Sequence, residues 1–293
     1  MAQEDGFYDP YMFEYKGVYF NCDLTTVEYI DSLEHFAIRD SDVFLVTYPK
    51  SGTVWTQQIL SLIFNEGHRN GTEAINNITR VPWLEYNIYN MDYDNRPSPR
   101  LFSSHMPYYL MPKDLRNRRG KVIYVYRNPK DGLVSFYHFY KLMVKATNSK
   151  SWEEFFERFL AGKVFGGSWF DHVRGWHTHK DDFNILFMTY EEMKKDLRSA
   201  VLKISAFVEK ELDDEDVNTI VEKATFENMK HDPLANYTFL GEDLLGKSEG
   251  GFLRKGTVGD WKNLMTVAQN ERFDQFYKDK MKDLPIKLIW HID

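Results

Sequence analysis

The residues best suited to chemistry fall in one short loop, Thr47-Tyr48-Pro49-Lys50-Ser51-Gly52-Thr53-Val54-Trp55. Where such a loop opens a helix, the free backbone N–H groups and the positive end of the helix dipole favour a bound phosphate or sulfate. Lys50 adds a full charge, Gly52 allows close backbone approach, and Ser51 and Thr53 offer hydroxyl donors. The lysine precedes the glycine, so the order is not the G-x-x-x-x-G-K-[ST] of nucleotide triphosphatases. A turn that merely caps a helix is the competing reading of this loop taken alone.

Other groups carry weaker signals. Arg127, taken alone, reads as a surface arginine paired with Asp131. His172, His177 and His179 form a group tempting as metal ligands, but with only Asp171 and Asp181 as nearby carboxylates they read as a solvated helix face shared with Arg174 and Lys180. Glu85 could attract a cationic amine; a structural role is the preferred reading.

The elements that must position these groups recur as strand, loop, helix. The apolar run Asp42–Thr47 feeds the Pro/Gly loop and then Trp55, Ile59, Leu62 and Ile63 at helical spacing. A second unit runs through Lys121–Tyr126 and Arg127-Asn128-Pro129-Lys130-Asp131 into an apolar helix. A third strand, Asn184–Tyr190, precedes a helix with an acidic start. Alternating units of this kind predict an α/β fold with a central parallel sheet flanked by helices, in one domain spanning residues 1–293. Ligands bind beyond the carboxyl ends of such strands, so the turns after Val46 and Tyr126 should face one site. Residues 240–259, rich in glycine and charge, predict a long loop of the kind that forms lids, before helical spacing resumes from Leu264 towards Met281.

Composition narrows the function. The 293 residues carry a net charge of −7, against a nucleic-acid binder, so a small anionic ligand would need locally focused positive charge. No stretch of about 18 apolar residues marks a membrane span, and the acidic start Met1-Ala2-Gln3-Glu4-Asp5 is unlike a signal peptide. Cys22 is the only cysteine, which excludes an intrachain disulfide and fits a reducing, cytoplasmic setting. The glycosylation patterns at Asn70, Asn77 and Asn236 are therefore read as unused.

Three separated segments then change the weight of the first loop. Tyr48-Pro49-Lys50-Ser51-Gly52-Thr53-x-Trp55, Tyr126-Arg127-Asn128-Pro129-Lys130-Asp131 with Ser135, and Arg254-Lys255-Gly256-Thr257-Val258-Gly259-Asp260-Trp261-Lys262-Asn263 closely resemble the signature segments of the cytosolic sulfotransferases. Pro99-Arg100-Leu101-Phe102-Ser103-Ser104-His105 and Phe226-Glu227-Asn228-Met229-Lys230 extend the resemblance over nearly the whole chain, and several phrases are similar to the amine sulfotransferase branch. The resemblance implies a P-loop nucleotide-kinase-like fold and a donor, 3'-phosphoadenosine 5'-phosphosulfate (PAPS, leaving PAP), with no metal. It places Lys50, Ser51, Gly52, Thr53 and Thr56 near the 5'-phosphosulfate and Trp55, Tyr190, Thr225 and Phe226 about the adenine. Arg127, Ser135, Arg254, Lys255 and Gly256 then hold the 3'-phosphate, a dianion that planar arginine forks match.

By the same resemblance His105 is the general base, Lys50 stabilises the leaving oxygen in an in-line displacement, and Ser135 holds Lys50 away until an acceptor arrives. An ordinary histidine pKa near 6.5 suits that role. Ser103 stands where many relatives carry lysine. Trp83, His105, Phe139, Tyr237, Leu244 and Leu245 fall at acceptor-pocket positions, implying a small hydrophobic amine, phenol or alcohol. Lys262-x-x-x-Thr266-Val267-x-x-x-Glu271 matches the family's dimer motif, implying a weak homodimer. Two rivals remain on the residues: a P-loop-like small-molecule kinase, which needs a Mg²⁺-binding carboxylate near Ser51 or Thr53, and an inactive nucleotide-binding relative.

Overall fold

Four short strands pair side by side in a parallel sheet, the central two buried almost throughout their length. The computed structural model describes residues 9–65, 75–143, 151–241 and 251–292. An antiparallel hairpin comes first, β1 (Met12–Tyr15) and β2 (Val18–Asn21); it and the strand Leu101–Ser104 lie outside the three strand–loop–helix units of the sequence. Its turn, Lys16-Gly17, has positive φ at both residues, the geometry that a tight hairpin demands.

The sheet consists of β3 (Val43–Thr47), β4 (Leu101–Ser104), β5 (Lys121–Tyr126) and β6 (Ile185–Thr189) in the order β4-β3-β5-β6, every pair parallel. Alternate side chains feed two cores: Phe44, Val46, Phe102 and Tyr124 on one face, Val43, Leu45, Leu101 and Ile123 on the other. Asp42 accepts Nε and Nη2 of Arg100 at 2.9 and 2.5 Å, fastening the starts of β3 and β4 together.

Register then decides the site. Val46 pairs with Ser104 and Tyr124, and Tyr126 with Thr189, so His105, Lys50, Arg127 and Tyr190 all follow strands ending at one edge of the sheet. The third strand stops one residue short of the sequence expectation. Tyr190 is already helical, because Thr189 and Glu192 form a capping box that starts the helix Tyr190–Lys195. Likewise the last helix begins at Val267 rather than Leu264, under a capping box of Thr266 and Gln269. Residues 251–259 carry no regular structure, as expected of a loop, while 242–250 lie outside the described residues. No helix among the described residues is long and apolar enough to cross a membrane.

Candidate functional site

The loop after β3 turns sharply, with positive φ at Lys50 and Gly52, and delivers the helix Thr53–Ile63 with Gly52 at its N-cap. Gly52 supplies no side-chain cap, and the Ser51 hydroxyl, fully buried, has no hydrogen-bond partner. The loop thus starts the helix without a side-chain cap and leaves one buried hydroxyl, that of Ser51, unpaired. A Cβ on Gly52 would lie 2.8 Å from Tyr190 Cδ2, and one on Gly256 2.4 Å from Phe226 Cδ2. Both glycines sit at positive φ, so each is needed for backbone shape as well as for space.

Arg127 crosses between the two glycine turns. Its Nη2 donates to Thr257 O at 2.8 Å and its Nη1 to Lys50 O at 3.3 Å, and its guanidinium lies 4.2 Å from the Tyr190 ring centroid. The surface pair with Asp131 does not form. Asp131 instead accepts from the backbone N–H of Gly259 and Trp261, at 2.7 and 3.0 Å, and thereby docks the late loop on the helix Pro129–Leu142. Within that loop Arg254 and Lys255 both bridge to Asp260, at 2.6 and 2.7 Å.

Lys50 Nζ rests 4.3 and 4.4 Å from the ring centroids of Phe139 and Phe252. Among the described residues it has these rings for company rather than the Ser135 hydroxyl. Burial, with help from Arg127 and Arg254, pulls its pKa down from 10.5 to about 7. An anion beside Lys50 would reverse that shift, so anion binding should take up a proton near neutral pH. Affinity for adenosine 3',5'-bisphosphate is accordingly expected to fall as pH rises above about 7, by at most about tenfold per pH unit. Calorimetric titrations in buffers of different ionisation enthalpy measure the proton taken up; none at pH 8 would refute the assignment.

His105 follows β4 and faces the same cavity. Its Nδ1 lies 2.7 Å from Thr47 O, and since a carbonyl only accepts, Nδ1 carries the hydrogen and Nε2 keeps a free lone pair. Thr47 in turn shares a 2.7 Å hydroxyl contact with Thr53, linking the histidine to the anion loop. Burial first, then His172 and Lys50, lower the His105 pKa to about 3. The expectation of an ordinary value near 6.5 is corrected: the imidazole is neutral throughout the neutral range.

These groups line one cavity of about 510 Å³. Of the residues singled out in the sequence, Lys50, Gly52, Thr53, Trp55, Trp83, His105, Arg127, Ser135, Phe139, Tyr190, Phe226, Tyr237, Arg254, Lys255 and Gly256 are in its wall. Thr56 is not: its hydroxyl donates to Gly52 O inside the helix. Nor are Ser51, whose hydroxyl is buried within the loop, and Thr225, which caps the helix Phe226–His231. Leu244 and Leu245 lie outside the described residues. Tyr86, Phe165, Ile78, Met229 and Phe252 join the wall unforeseen. Phe252 stands two residues before Arg254 and could have been found from that spacing; Phe165 and Tyr86 carry no local signal. Ser103 is fully buried, bonded to Gln57 Nε2 and Val81 O, and Tyr237 donates to Gln57 Oε1 at 2.7 Å.

The histidine group is also corrected. His172 is 3% exposed and bonded to Tyr124, not a solvated side chain, because the helix Trp169–Thr178 packs that face onto the sheet. Among the described residues no group of three or more His, Cys, Asp or Glu is arranged to hold a metal. Glu85 lies behind His105, outside the cavity wall, which fits the structural reading over attraction of an amine.

A family model described as the sulfotransferase domain matches residues 40–285. The chain belongs to the sulfotransferase family. It is 59% identical over 285 residues to the amine sulfotransferase of Oryctolagus cuniculus, covering 97% of this chain and 95% of that one. Human sulfotransferase 2A1 is 44% identical over 87% of this chain and 89% of its own. Among solved structures, mouse sulfotransferase SULT7A1 complexed with PAP superposes with a TM-score of 0.78 at 33% identity, covering 93% of this chain and 95% of that one. The fold is thus that of a sulfotransferase, a central parallel sheet flanked by helices, and the enzyme is a transferase.

Proposed function

We propose that this sulfotransferase moves a sulfonate group from PAPS onto the amine or hydroxyl of a small hydrophobic acceptor: an arylamine, a phenol, or an alcohol such as a steroid. The carrying observation is one cavity lined both by the cations Lys50, Arg127, Arg254 and Lys255 and by His105 among aromatic rings. The residues fit the donor. Ser51 Oγ is buried in the anion loop without a partner, and four cations line the cavity in a chain of net charge −7. Similarity to an amine sulfotransferase favours an amine among the acceptors.

The donor supplies the activated sulfonate. In this reading Lys50, Ser51, Gly52 and Thr53 hold its 5' end, and Trp55, Tyr190 and Phe226 flank the adenine. Arg127, Ser135, Arg254, Lys255 and Gly256 bind the 3'-phosphate. His105 Nε2 takes the acceptor's proton as the acceptor atom bonds to sulfur, while Lys50 meets the charge left on the departing phosphate oxygen. Trp83, Phe139 and Tyr237 seat the acceptor's apolar body, with Tyr86 and Phe165 beside them.

Residues 1–293 act as one domain in this proposal, in the cytoplasm, on xenobiotic-like small molecules. The Lys262–Glu271 segment exposes Val267 at 76%, an apolar side chain suited to a self-complementary two-fold contact. Val267→Glu is expected to sediment as a monomer where the parent sediments as a weak homodimer; identical sedimentation would remove the motif from the interface. The donor assignment is tested by thermal unfolding. Adenosine 3',5'-bisphosphate at 100 times its Kd should stabilise by about 2.7 kcal/mol, and ATP with Mg²⁺ much less. The reverse order would make the protein a kinase, and stabilisation with no transfer to any arylamine, phenol or alcohol would make it an inactive relative.

A further inference from the structure

Three fully or nearly fully buried polar side chains sit behind His105, and none of them lines the cavity. Glu85 Oε1 accepts the His105 backbone N–H at 2.6 Å. From the other side His172 Nε2 lies 3.1 Å from the His105 carbonyl oxygen. A carbonyl only accepts, so His172 carries its hydrogen on Nε2, and its Nδ1 must accept from the Tyr124 hydroxyl at 2.8 Å. The tautomer is therefore fixed by geometry, and burial, which lowers the His172 pKa to about 4, keeps the ring neutral.

Fold stability alone accounts poorly for this arrangement: burial pushes the Glu85 carboxyl up to about 7, which marks a cost of placing its charged form there. What Glu85 and His172 do share is the His105 peptide, held by its N–H and by its C=O while the imidazole is tied to Thr47 through Nδ1; Tyr124 reaches that peptide through His172. We propose that Glu85, His172 and Tyr124 are positioning residues that clamp the His105 main chain from both sides and so aim Nε2 at the acceptor. The proposal rests on the reading of His105 as the base. A displacement of about 1 Å in a reacting group can lower a rate about 100-fold, so this clamp should be felt in turnover more than in binding.

The test compares kcat per bisphosphate-binding site in His172→Phe, His172→Gln, Tyr124→Phe and His105→Ala. Titration with adenosine 3',5'-bisphosphate counts the folded sites. His172→Phe should lower kcat per site by about 10- to 100-fold, as loss of an orienting group does elsewhere, with the bisphosphate Kd within about twofold. His172→Gln, whose amide can still donate to the carbonyl, should recover most of it. Tyr124→Phe keeps the ring, deletes one hydrogen bond, and should lower kcat by about 2- to 10-fold. Full kcat per site in both His172→Phe and Tyr124→Phe, or turnover lost only in proportion to sites in both, overturns the clamp. If His105→Ala is inactive in that same assay, the base survives and only the clamp fails. A fully active His105→Ala overturns both.

Discussion

Replacement of His105 by alanine is expected to lower kcat by about 10²–10⁴-fold, the usual contribution of a general base, while changing the affinity for adenosine 3',5'-bisphosphate by no more than about threefold. The asymmetry follows from position. His105 faces the cavity beside Trp83 and Phe165, with ring centroids 4.4 and 5.9 Å away. Its Nδ1 is committed to Thr47 O, which leaves Nε2 as the proton acceptor. Because burial holds its pKa near 3, well below 6.5, the ring stays neutral from pH 8 down to about 4. A loss of turnover between pH 7 and 5 should then not come from protonation of His105, and a phenol and an amine of similar shape should differ in that range. An alanine variant that turns over at near-parental rate would exclude the histidine as base.

Substituting Arg127 by lysine should weaken adenosine 3',5'-bisphosphate by about 10- to 100-fold, yet adenosine 5'-monophosphate by about threefold or less. Hydrogen bonds to a charged partner contribute about 1.5–3 kcal/mol, and a lysine keeps the charge but loses the planar fork. Arg127 Nη1 and Nη2 also tie the turns at Lys50 and Thr257 together, while Nε is buried without a partner. If the fork recognises the 3'-phosphate, the loss is confined to the ligand that carries one. Equal weakening of both nucleotides would mean that Arg127 only braces the loops. Competition calorimetry of the two nucleotides on parent and variant decides between these outcomes.

Both effects come from residues visible in the sequence, but their mechanisms were not. Lys50 and Gly52 declared themselves by type and spacing, as a phosphate site needs, whereas Arg127 and Gly256 entered the site only through the family resemblance. The strands declared themselves too, since a strand buried on both faces must be apolar throughout, as Val43–Thr47 and Lys121–Tyr126 nearly are. By contrast, the hairpin β1–β2 is short and mixed in polarity, with a burial pattern that local alternation does not reveal. Tyr190 read as the end of a strand because apolar residues run straight into it; the Thr189–Glu192 capping box ends the strand instead.

Fold class, the order of the strand–loop–helix units and the family were legible in the chain alone, because runs, periods and motifs are local patterns that a linear chain displays directly. Which of two readings each ambiguous polar residue takes depended on the packed fold. Asp131 turned out to serve the backbone of Gly259 and Trp261 rather than Arg127, and His172 to grip the His105 carbonyl rather than water. The packed fold also lowered Lys50 to about 7 and His105 to about 3. The reason is physical: partners and burial depend on residues tens of positions apart, and desolvation is a property of the packed site, not of any segment of it.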